Sequence, residues 1–367
     1  MKTILTSLQL SLLLAIILFT SCEKNPNEEL ISQMKAVTDS VVQNAQVTGV
    51  VALVVDHKKG INWIYTSGYN DVTNKLPINT SHIFRIGSNT KTMTGTVLLQ
   101  LVDEGILSLD DKLSKFYPEL PRADEVTIAM LCNMTSGIYN YTDDEDWGNE
   151  IDENPTKTWS PHELVEIGFS HPYIFDPGTD WKYSNTNTII LGMIIEKLTG
   201  NSLQKEMENR LFKPLNLTQT ALITKGTELP EPCTKGYVWD EENVIFTDAT
   251  SYGDVSWAWA AGSVYSTPRE LQKYVETLVG GGYLSDNLQR KRLTELHSLS
   301  TMSSYGYAIL RRGSFFGHNG GLPGYTSSMY HSKEKDCSII IYFNCYTEYQ
   351  PDNLFLRFVN ILYGKDF

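Results

Sequence analysis

The stretch Phe84-Arg85-Ile86-Gly87-Ser88-Asn89-Thr90-Lys91 marks the point at which the pattern of the chain changes. Before it, two runs typical of strands, 48–56 and 61–67, flank a charged turn that ends in glycine, which predicts a β-hairpin. After it, apolar residues recur at helical spacing over 93–102, and Gly105 predicts the end of that helix. The sequence therefore predicts a change from strands to helix at Ser88.

The rest of the chain divides into a largely helical region and a mixed region. Strand segments at both chain ends can share one sheet, with residues 88–260 inserted as a second lobe. The predicted fold is therefore α/β (α+β), an antiparallel sheet flanked by helices plus a largely helical lobe. Helices are expected over 161–169, 188–198, 202–212, 268–279 and 353–363, and strands over 305–311, 326–331 and 337–345.

The N-terminus predicts export. Lys2 precedes an apolar run of sixteen residues, 4–19, which is short for a membrane-spanning helix and typical of a signal peptide. A threonine and a serine then precede Cys22, as in the cleavage site of bacterial lipoproteins. We expect residues 1–22 to be a lipoprotein signal peptide and Cys22 to be lipidated. The alternative is an ordinary secretory signal or an uncleaved anchor.

The lipid would anchor the chain to a membrane. Residues 23–34 are then expected to form a tether, and residues 35–367 a single folded domain. The predicted location is the bacterial cell envelope, on the periplasmic side or at the cell surface.

The acidic composition limits the classes of partner. The formal net charge is -13 and the isoelectric point is about 5.0. These values argue against nucleic acid and against an anionic membrane surface as partners.

Four cysteines follow the N-terminal one, and we expect them to be buried free thiols. Cys337 and Cys345 flank one predicted strand, and eight strand residues span about 26 Å, which is beyond disulfide reach. The sequence has no C-x-x-C or H-E-x-x-H pattern, so it predicts neither a metal nor another cofactor.

Ser88-Asn89-Thr90-Lys91 is an S-x-x-K motif at the start of the predicted helix. Residues three apart lie on one helix face, so the Lys91 amine can reach the Ser88 hydroxyl. A serine needs an adjacent base to become a nucleophile, and a lysine whose pKa is lowered by burial can be that base. Alone, the motif is a weak signal, because the same spacing begins at Ser21, Ser32, Ser202 and Ser332. Of these, Ser202 is expected to cap a helix and Ser332 to lie in a charged turn.

The second motif is Tyr183-Ser184-Asn185, which follows a Pro-Gly turn and precedes an apolar helix. A phenol near a lysine can pass a proton to a leaving group, and an asparagine offers a donor and an acceptor to a substrate amide. The structural alternative is a tyrosine packed at a turn, with the asparagine capping the next helix.

The third motif is His318-Asn319-Gly320-Gly321. Adjacent glycines allow a substrate backbone to approach the chain closely. A histidine there can orient other groups or change charge near neutral pH. The alternative is a tight hairpin with a surface histidine.

In this order, the three motifs resemble those of the serine β-lactamase-like superfamily, which includes class C β-lactamases, serine D-Ala-D-Ala carboxypeptidases and related esterases. The resemblance covers about residues 35 to 365 and implies a β-lactamase/transpeptidase-like fold. Further matching segments are 84–87, 110–113, 135–137, 177–187, 260–262 and 266–267.

The resemblance assigns a role to each catalytic residue. Ser88 would be acylated, and Lys91 and Tyr183 would form the general-base and general-acid pair. His318 would assist proton movement or polarise the tyrosine. The backbone N–H groups of Ser88 and Gly321 would form the oxyanion hole.

The resemblance also implies a set of substrate-binding residues. Asn185 would hold the acyl-side amide of the substrate, and Asn319 and Gly320 would contact the substrate nearby. However, His318 stands where class C β-lactamases usually carry lysine, and Asn319 stands where threonine is common. Binding of a substrate carboxylate is therefore expected to be weaker or more pH-dependent.

The function implied is that of a serine hydrolase which cleaves D-amino-acid peptides in the cell envelope, like a D-Ala-D-Ala carboxypeptidase. The alternatives are a class C-like β-lactamase or an esterase and, in another class, a non-catalytic penicillin-binding sensor. The intact set of Ser88, Lys91 and Tyr183 argues against the sensor. The expected substrate is a small molecule or peptide, either a peptidoglycan stem peptide or a β-lactam.

Overall fold

The computed structural model describes residues 26–44, 47–240, 242–243, 245–251 and 253–364. The predicted signal peptide 1–22 and its lipidation site Cys22 lie outside these ranges. The tether predicted over 23–34 is wrong from residue 26 onward, because a helix begins there and buries the Met34 side chain completely.

The elements follow the predicted order of strands, helices, then strands with a terminal helix. The helices are α1 Pro26–Asn44, α2 Thr90–Asp103, α3 Ile128–Asn133, α4 Glu145–Glu153, α5 Pro161–Ser170, α6 Asn185–Thr199, α7 Leu203–Met207, α8 Trp259–Gly262, α9 Pro268–Gly280, α10 Asp286–Thr294 and α11 Pro351–Tyr363. The strands are β1 Gly49–Asp56, β2 Ile61–Asp71, β3 Leu76–Pro77, β4 Phe84–Arg85, β5 Ala221–Leu222, β6 Tyr237–Asp240, β7 Ile245–Asp248, β8 Val264–Ser266, β9 His297–Ser298, β10 Ser303–Gly306, β11 Ile309–Arg312, β12 Phe315–Leu322, β13 Tyr325–Ser332, β14 Cys337–Phe343 and β15 Cys345–Tyr346.

A nine-stranded antiparallel sheet joins the two ends of the chain. Its strand order is β3-β2-β1-β14-β13-β12-β11-β10-β9. Strand β1 pairs with β14, so that Val50 lies opposite Phe343. The prediction that strands from both chain ends share one sheet is therefore confirmed.

Both faces of this sheet are covered, as the side chains of β1 show. Alternate residues of a strand point to opposite faces. Val51 and Leu53 pack in the core shared with the helical lobe and α9. Val50 and Ala52 pack in a second core with α1 and α11. All eight residues of β1 are buried, which accounts for its continuous apolar run.

Helix α2 runs through the centre of the helical lobe. Eleven of its fourteen residues are buried, and it contacts helices α6, α7 and α8. At Gly95 a side chain would have no room, because an added Cβ would lie 2.2 Å from Ala308 Cβ. The glycine thus allows α2 to pack closely against the turn between β10 and β11.

Two predicted strands are interrupted in the structure. The run expected over 305–311 is a hairpin, in which Tyr307 and Ala308 form the turn between β10 and β11. The turn is fixed from outside, since the Ala308 N–H donates to the Cys132 carbonyl at 2.8 Å. The run expected over 337–345 breaks at Asn344, after which β15 pairs with β6 instead.

The lobe inserted between β4 and β8 is not helical throughout. It also contains β6 and β7, which form a small sheet with β15. The cysteines 132, 233, 337 and 345 are all free thiols. Within the described ranges, no helix combines the length and apolarity needed to span a bilayer.

Candidate active site

Ser88 is positioned by the hydrogen bonds of its neighbours in the chain, Ile86 and Asn89, just before α2. Strand β4 pairs with β8, and the Ile86 N–H donates to the Val264 carbonyl at 3.0 Å. A 3₁₀ turn, Gly87–Asn89, then leads into α2. The buried Asn89 amide donates to the Ile86 carbonyl at 2.9 Å and to Ser327 Oγ at 2.8 Å. These contacts tie the turn to the central sheet and leave Ser88 partly exposed.

Lys91 lies one helical turn after Ser88 and is completely buried, with 0% of its surface exposed. Its Nζ is 3.1 Å from Ser88 Oγ and 2.8 Å from the Ala261 carbonyl oxygen. Burial lowers the pKa of the Lys91 amine well below its ordinary value. Both hydrogen-bond partners are neutral, so they do not offset the effect of burial, and the amine is placed to accept the Ser88 proton.

Tyr183 completes the group around the nucleophile. Its hydroxyl shares a hydrogen bond with the Ser88 side chain. Its ring centroid is 4.9 Å from Lys91 Nζ. Burial raises the pKa of the Tyr183 phenol, which keeps it protonated at neutral pH. Base and acid are thus separated by environment, with Lys91 as the acceptor and Tyr183 as the donor.

Backbone N–H groups from two elements meet beside Ser88. A Cβ added at Gly320 would lie 2.0 Å from the Ile86 carbonyl oxygen and 2.8 Å from Ser88 N. A Cβ added at Gly87 would lie 2.6 Å from Gly321 N. The absence of side chains therefore lets β12 approach the 3₁₀ turn and brings the amides of Ser88 and Gly321 into one corner, as an oxyanion hole requires.

His318 lies on β12 with 2% of its surface exposed. Its Nδ1 is 2.5 Å from the Asn319 carbonyl oxygen, to which it donates, and its Nε2 accepts from the Tyr305 hydroxyl at 3.2 Å. Burial lowers the pKa of His318 to about 3. The ring is therefore neutral across the physiological range, and the surface-hairpin alternative is wrong.

The two asparagines of the motifs lie in different places. Asn185 begins α6, and its side-chain amide donates to Thr142 Oγ1 at 3.0 Å. Asn319 lies on β12, and its side-chain amide donates to the Asp352 carboxylate at 3.1 Å. The Asn319 side chain is therefore held in place by Asp352 on α11.

Two pockets lie next to each other at the site, because Gly321 and Tyr346 line both of them, and Ser88 lines the smaller one. The larger pocket has a volume of about 740 Å³. It is lined by Thr142, Trp147, Asn185, Val238, Asp240, Thr247, Asp248, Ala249, Trp257, Gly321, Leu322, Pro323 and Tyr346. The smaller pocket has a volume of about 430 Å³. It is lined by Ser88, Trp181, Tyr183, Leu299, Ser303, Tyr305, Leu310, Arg312, His318, Asn319, Gly320, Gly321, Tyr346 and Gln350.

Sequence reasoning missed four contributors to this site. The Ala261 carbonyl fixes the Lys91 amine, Tyr305 fixes the His318 ring, and Arg312 and Asp352 form an ion pair at the smaller pocket. Ala261 lies in a segment that carried the family resemblance, which was a signal for it. The other three have no local motif, because they reach the site only through the sheet and α11.

No cofactor is needed for the chemistry that these side chains support. A buried lysine with a lowered pKa beside a serine, with a protonated tyrosine and paired backbone donors, is the arrangement expected of a serine hydrolase. Among the described residues, no group of three or more His, Cys, Asp or Glu side chains is arranged to hold a metal ion.

The comparison with protein families agrees with this class. The family model for Beta-lactamase matches residues 30–359. The chain therefore belongs to the Beta-lactamase family, and it is a serine hydrolase of that family.

Two amide hydrolases are among the solved structures that are similar to this chain. A D-stereospecific amidohydrolase from Streptomyces sp. is 30% identical, and the match covers 90% of this chain and 98% of the other with a TM-score of 0.81. The D-amino acid amidase from Ochrobactrum anthropi SV3, solved with L-phenylalanine amide, is 27% identical over 91% of this chain and 98% of its own, with a TM-score of 0.79.

Curated relatives include penicillin-binding proteins. Penicillin-binding protein 4* of Bacillus subtilis (strain 168) is 27% identical over 297 residues, which is 72% of this chain and 61% of that protein. The chain spans less than two thirds of the length of the curated relatives that it matches most strongly.

Proposed function

We propose that this protein hydrolyses the amide bond of D-amino-acid amides and related D-aminoacyl compounds through an acyl-enzyme on Ser88. The observation that carries the hydrolytic step is the buried Lys91 amine, 3.1 Å from Ser88 Oγ and without a charged partner. The likeness to a D-stereospecific amidohydrolase and to a D-amino acid amidase supports the substrate class.

Acylation follows from the positions of the proton acceptor and donor. Ser88 Oγ attacks the substrate carbonyl carbon while its proton passes to Lys91 Nζ. The N–H groups of Ser88 and Gly321 hold the negative oxygen that forms. Tyr183 gives its proton to the leaving nitrogen as the C–N bond breaks, and the Lys91 proton restores the phenol. In deacylation, a water molecule attacks the acyl carbon, and the bond from that carbon to Ser88 Oγ breaks. The proton of the water passes through the same groups to Ser88 Oγ, and the amino acid is released.

The larger pocket suits the acyl part of such a substrate. Asn185 lines it, and Trp147, Trp257 and Leu322 give it an apolar wall. Asp240 and Asp248 line the same pocket. Lys235 pairs with Asp248 at 3.7 Å, so Asp240 is the carboxylate that favours a protonated α-amine over a neutral acylated one. An amino-acid amide with an apolar side chain and a free amine matches this lining better than an N-acylated peptide.

The direct test uses two enantiomers of one amide. We expect the purified protein to release ammonia from D-phenylalaninamide and to process the L-enantiomer at least about tenfold more slowly, with Ser88→Ala inactive on both. N-acetyl-D-phenylalaninamide should be a poorer substrate because it lacks the cation. Equal rates for the two enantiomers, or no release from the D-amide, would reject the proposal.

Penicillin recognition is a second candidate, favoured by the penicillin-binding relatives. A lasting benzylpenicillin adduct on Ser88, absent in Ser88→Ala, would identify carboxypeptidase-like chemistry with slow deacylation. Rapid nitrocefin hydrolysis without a lasting adduct would identify a β-lactamase. Turnover of simple esters with neither result would identify an esterase.

The location in the cell envelope is also a proposal. It rests on the apolar run 4–19 followed by Cys22. Radiolabelled palmitate should be incorporated into the full-length chain in bacterial cells, and Cys22→Ser should remove the label. Incorporation that persists in Cys22→Ser would reject Cys22 as the anchor.

A further inference from the structure

The smaller pocket is the side of the site on which the leaving group departs. The proton donor must face the leaving atom, and Tyr183 lines this pocket together with Ser88. Asn185, which is suited to hold the acyl side, lines the larger pocket instead. The residues that line the smaller pocket therefore contact the leaving group, including any substituent on the amide nitrogen.

Charge in the smaller pocket comes from one guanidinium. Among the described residues that line it, Arg312 alone carries a permanent charge, and His318 is neutral. Arg312 lies at the end of β11 with 28% of its side chain exposed. An unpaired arginine here would be a site for a carboxylate, such as the C-terminus of a leaving amino acid.

The guanidinium is already paired. Its Nη2 donates to Asp352 Oδ2 at 2.5 Å, and its Nε donates to Tyr330 Oη at 3.1 Å. Asp352 lies in the first turn of α11 with only 11% of its side chain exposed. Its carboxylate also accepts from Asn319 Nδ2 at 3.1 Å and from Ser328 Oγ. The pair adds no net charge to the pocket.

We propose that Asp352 is a specificity-determining residue, which neutralises Arg312 and so directs the enzyme toward substrates with uncharged leaving groups. A leaving group with a terminal carboxylate would lose its hydration in this pocket without gaining a free cation. Ammonia, an amine or an amino-acid amide would lose no charge hydration. The inference rests on the proposed function and refines it, because it separates amidase-like from carboxypeptidase-like substrates of the same acyl group.

The test compares two substrates that share one scissile bond. These are D-phenylalanyl-D-alanine and D-phenylalanyl-D-alaninamide, which differ only in the terminal charge of the leaving group. For the unmodified protein we expect kcat/KM to be at least about tenfold higher for the carboxamide. In Asp352→Asn, which keeps an acceptor oxygen and frees the Arg312 charge, the ratio should move about tenfold toward the carboxylate.

Two further variants separate charge from structure. Arg312→Gln leaves Asp352 without its cation, so it should move the ratio further toward the carboxamide. The double variant Asp352→Asn with Arg312→Gln should lose the gain seen in Asp352→Asn alone. A simple packing defect would lower kcat/KM for both substrates by the same factor and leave their ratio unchanged. That result, or a carboxylate preference in the unmodified protein, would overturn the inference.

A second pair of substrates keeps this test independent of the proposed function. Thioesters of one acyl group, with mercaptoacetate or mercaptoacetamide as the leaving group, need no amidase activity. If D-phenylalaninamide and both dipeptides are inert but the thioester ratio shifts in Asp352→Asn, the proposed function fails and the role of Asp352 stands. If the dipeptides are cleaved but neither ratio shifts, the proposed function stands and the role of Asp352 fails.

Discussion

Among the residues that the structure describes, two S-x-x-K sequences lie at the start of a helix, and their surroundings differ. At α7, Ser202 Oγ accepts the Lys205 backbone N–H at 3.3 Å and caps the helix. The Lys205 side chain is 50% exposed and its Nζ pairs with Glu208 at 3.2 Å. At α2, Ser88 lies within the 3₁₀ turn Gly87–Asn89 and does not cap the helix, and Lys91 is completely buried.

The difference shows that the S-x-x-K spacing can bring a lysine close to a serine but does not by itself make the serine reactive. In the surface copy, the Glu208 carboxylate pairs with the lysine, and the serine oxygen accepts a backbone N–H. A third copy behaves alike, since Ser332 Oγ accepts the Lys335 N–H at 3.1 Å and Lys335 pairs with Glu334. In the buried copy, the neutral Ala261 carbonyl replaces the carboxylate, and desolvation favours the free amine.

The largest effect is expected from removing Ser88, the proposed nucleophile. Ser88→Ala should lower kcat by roughly 10⁴-fold or more and abolish labelling by a serine-directed fluorophosphonate. Ser202→Ala, the matched change in the surface copy, should leave kcat and labelling within twofold. Labelling that moved to another serine in Ser88→Ala would break the comparison.

The next effect concerns the base. Lys91→Arg keeps a cation but replaces an amine that can lose its proton with a guanidinium that cannot, so kcat/KM should fall roughly 10³-fold. Lys205→Arg keeps the surface ion pair and should be silent. In the unmodified protein, kcat/KM should rise with pH as Lys91 loses its proton, at a pH far below the lysine reference value of about 10.4. An active Lys91→Arg would exclude Lys91 as the base.

The proton donor should have a smaller effect. Tyr183→Phe retains the ring beside Lys91 but removes the hydroxyl bonded to Ser88, so kcat for amides should fall roughly 10²-fold. Activated esters, whose leaving groups need no proton, should lose much less. Equal losses for amides and activated esters would contradict the role of Tyr183 as the acid.

The burial of His318 in its neutral form can be tested by the pH dependence of the free energy of unfolding. Because the pKa of His318 is lowered from 6.5 to about 3, the unfolded chain binds its proton first as the pH falls. The free energy of unfolding should therefore fall from pH 6.5 toward pH 3, by up to about 1.4 kcal/mol per pH unit from this group. In His318→Asn the fall should be less steep, as measured by urea denaturation at several pH values. An identical pH slope in the variant would show that His318 is not buried in the neutral form.

The smallest effect is expected in the surface copy. Ser202→Ala removes the cap of α7 and should lower the free energy of unfolding by about 1 kcal/mol, again by urea denaturation. Ser88→Ala removes no helix cap, so its cost should be smaller. A larger loss in Ser88→Ala than in Ser202→Ala would reverse the structural part of the comparison.

Much of the fold could be predicted because its elements carry their own signals. The boundaries of α5 follow from the Ser160–Glu163 capping box, and those of α9 from Thr267 and Gly281. The predicted strand over 305–311 could not reveal its turn, since Cys132, remote in sequence, holds that turn in place. The tether was wrong because α1 gains its stability from contacts with the sheet and α11.

The sequence by itself predicted the candidate nucleophile, base and acid, because helical spacing and family-like motifs lie within short stretches. It also predicted the broad order of strands, a mainly helical lobe, further strands and a terminal helix, but it did not predict α1 or the strands β6 and β7. Only the tertiary structure decided that Lys91 is completely buried, that His318 accepts a hydrogen bond from Tyr305, and that Asn319 donates one to Asp352. Burial and pairing between distant segments set these properties. Such contacts leave no local pattern in the chain, because each partner is supplied by a different element of the fold.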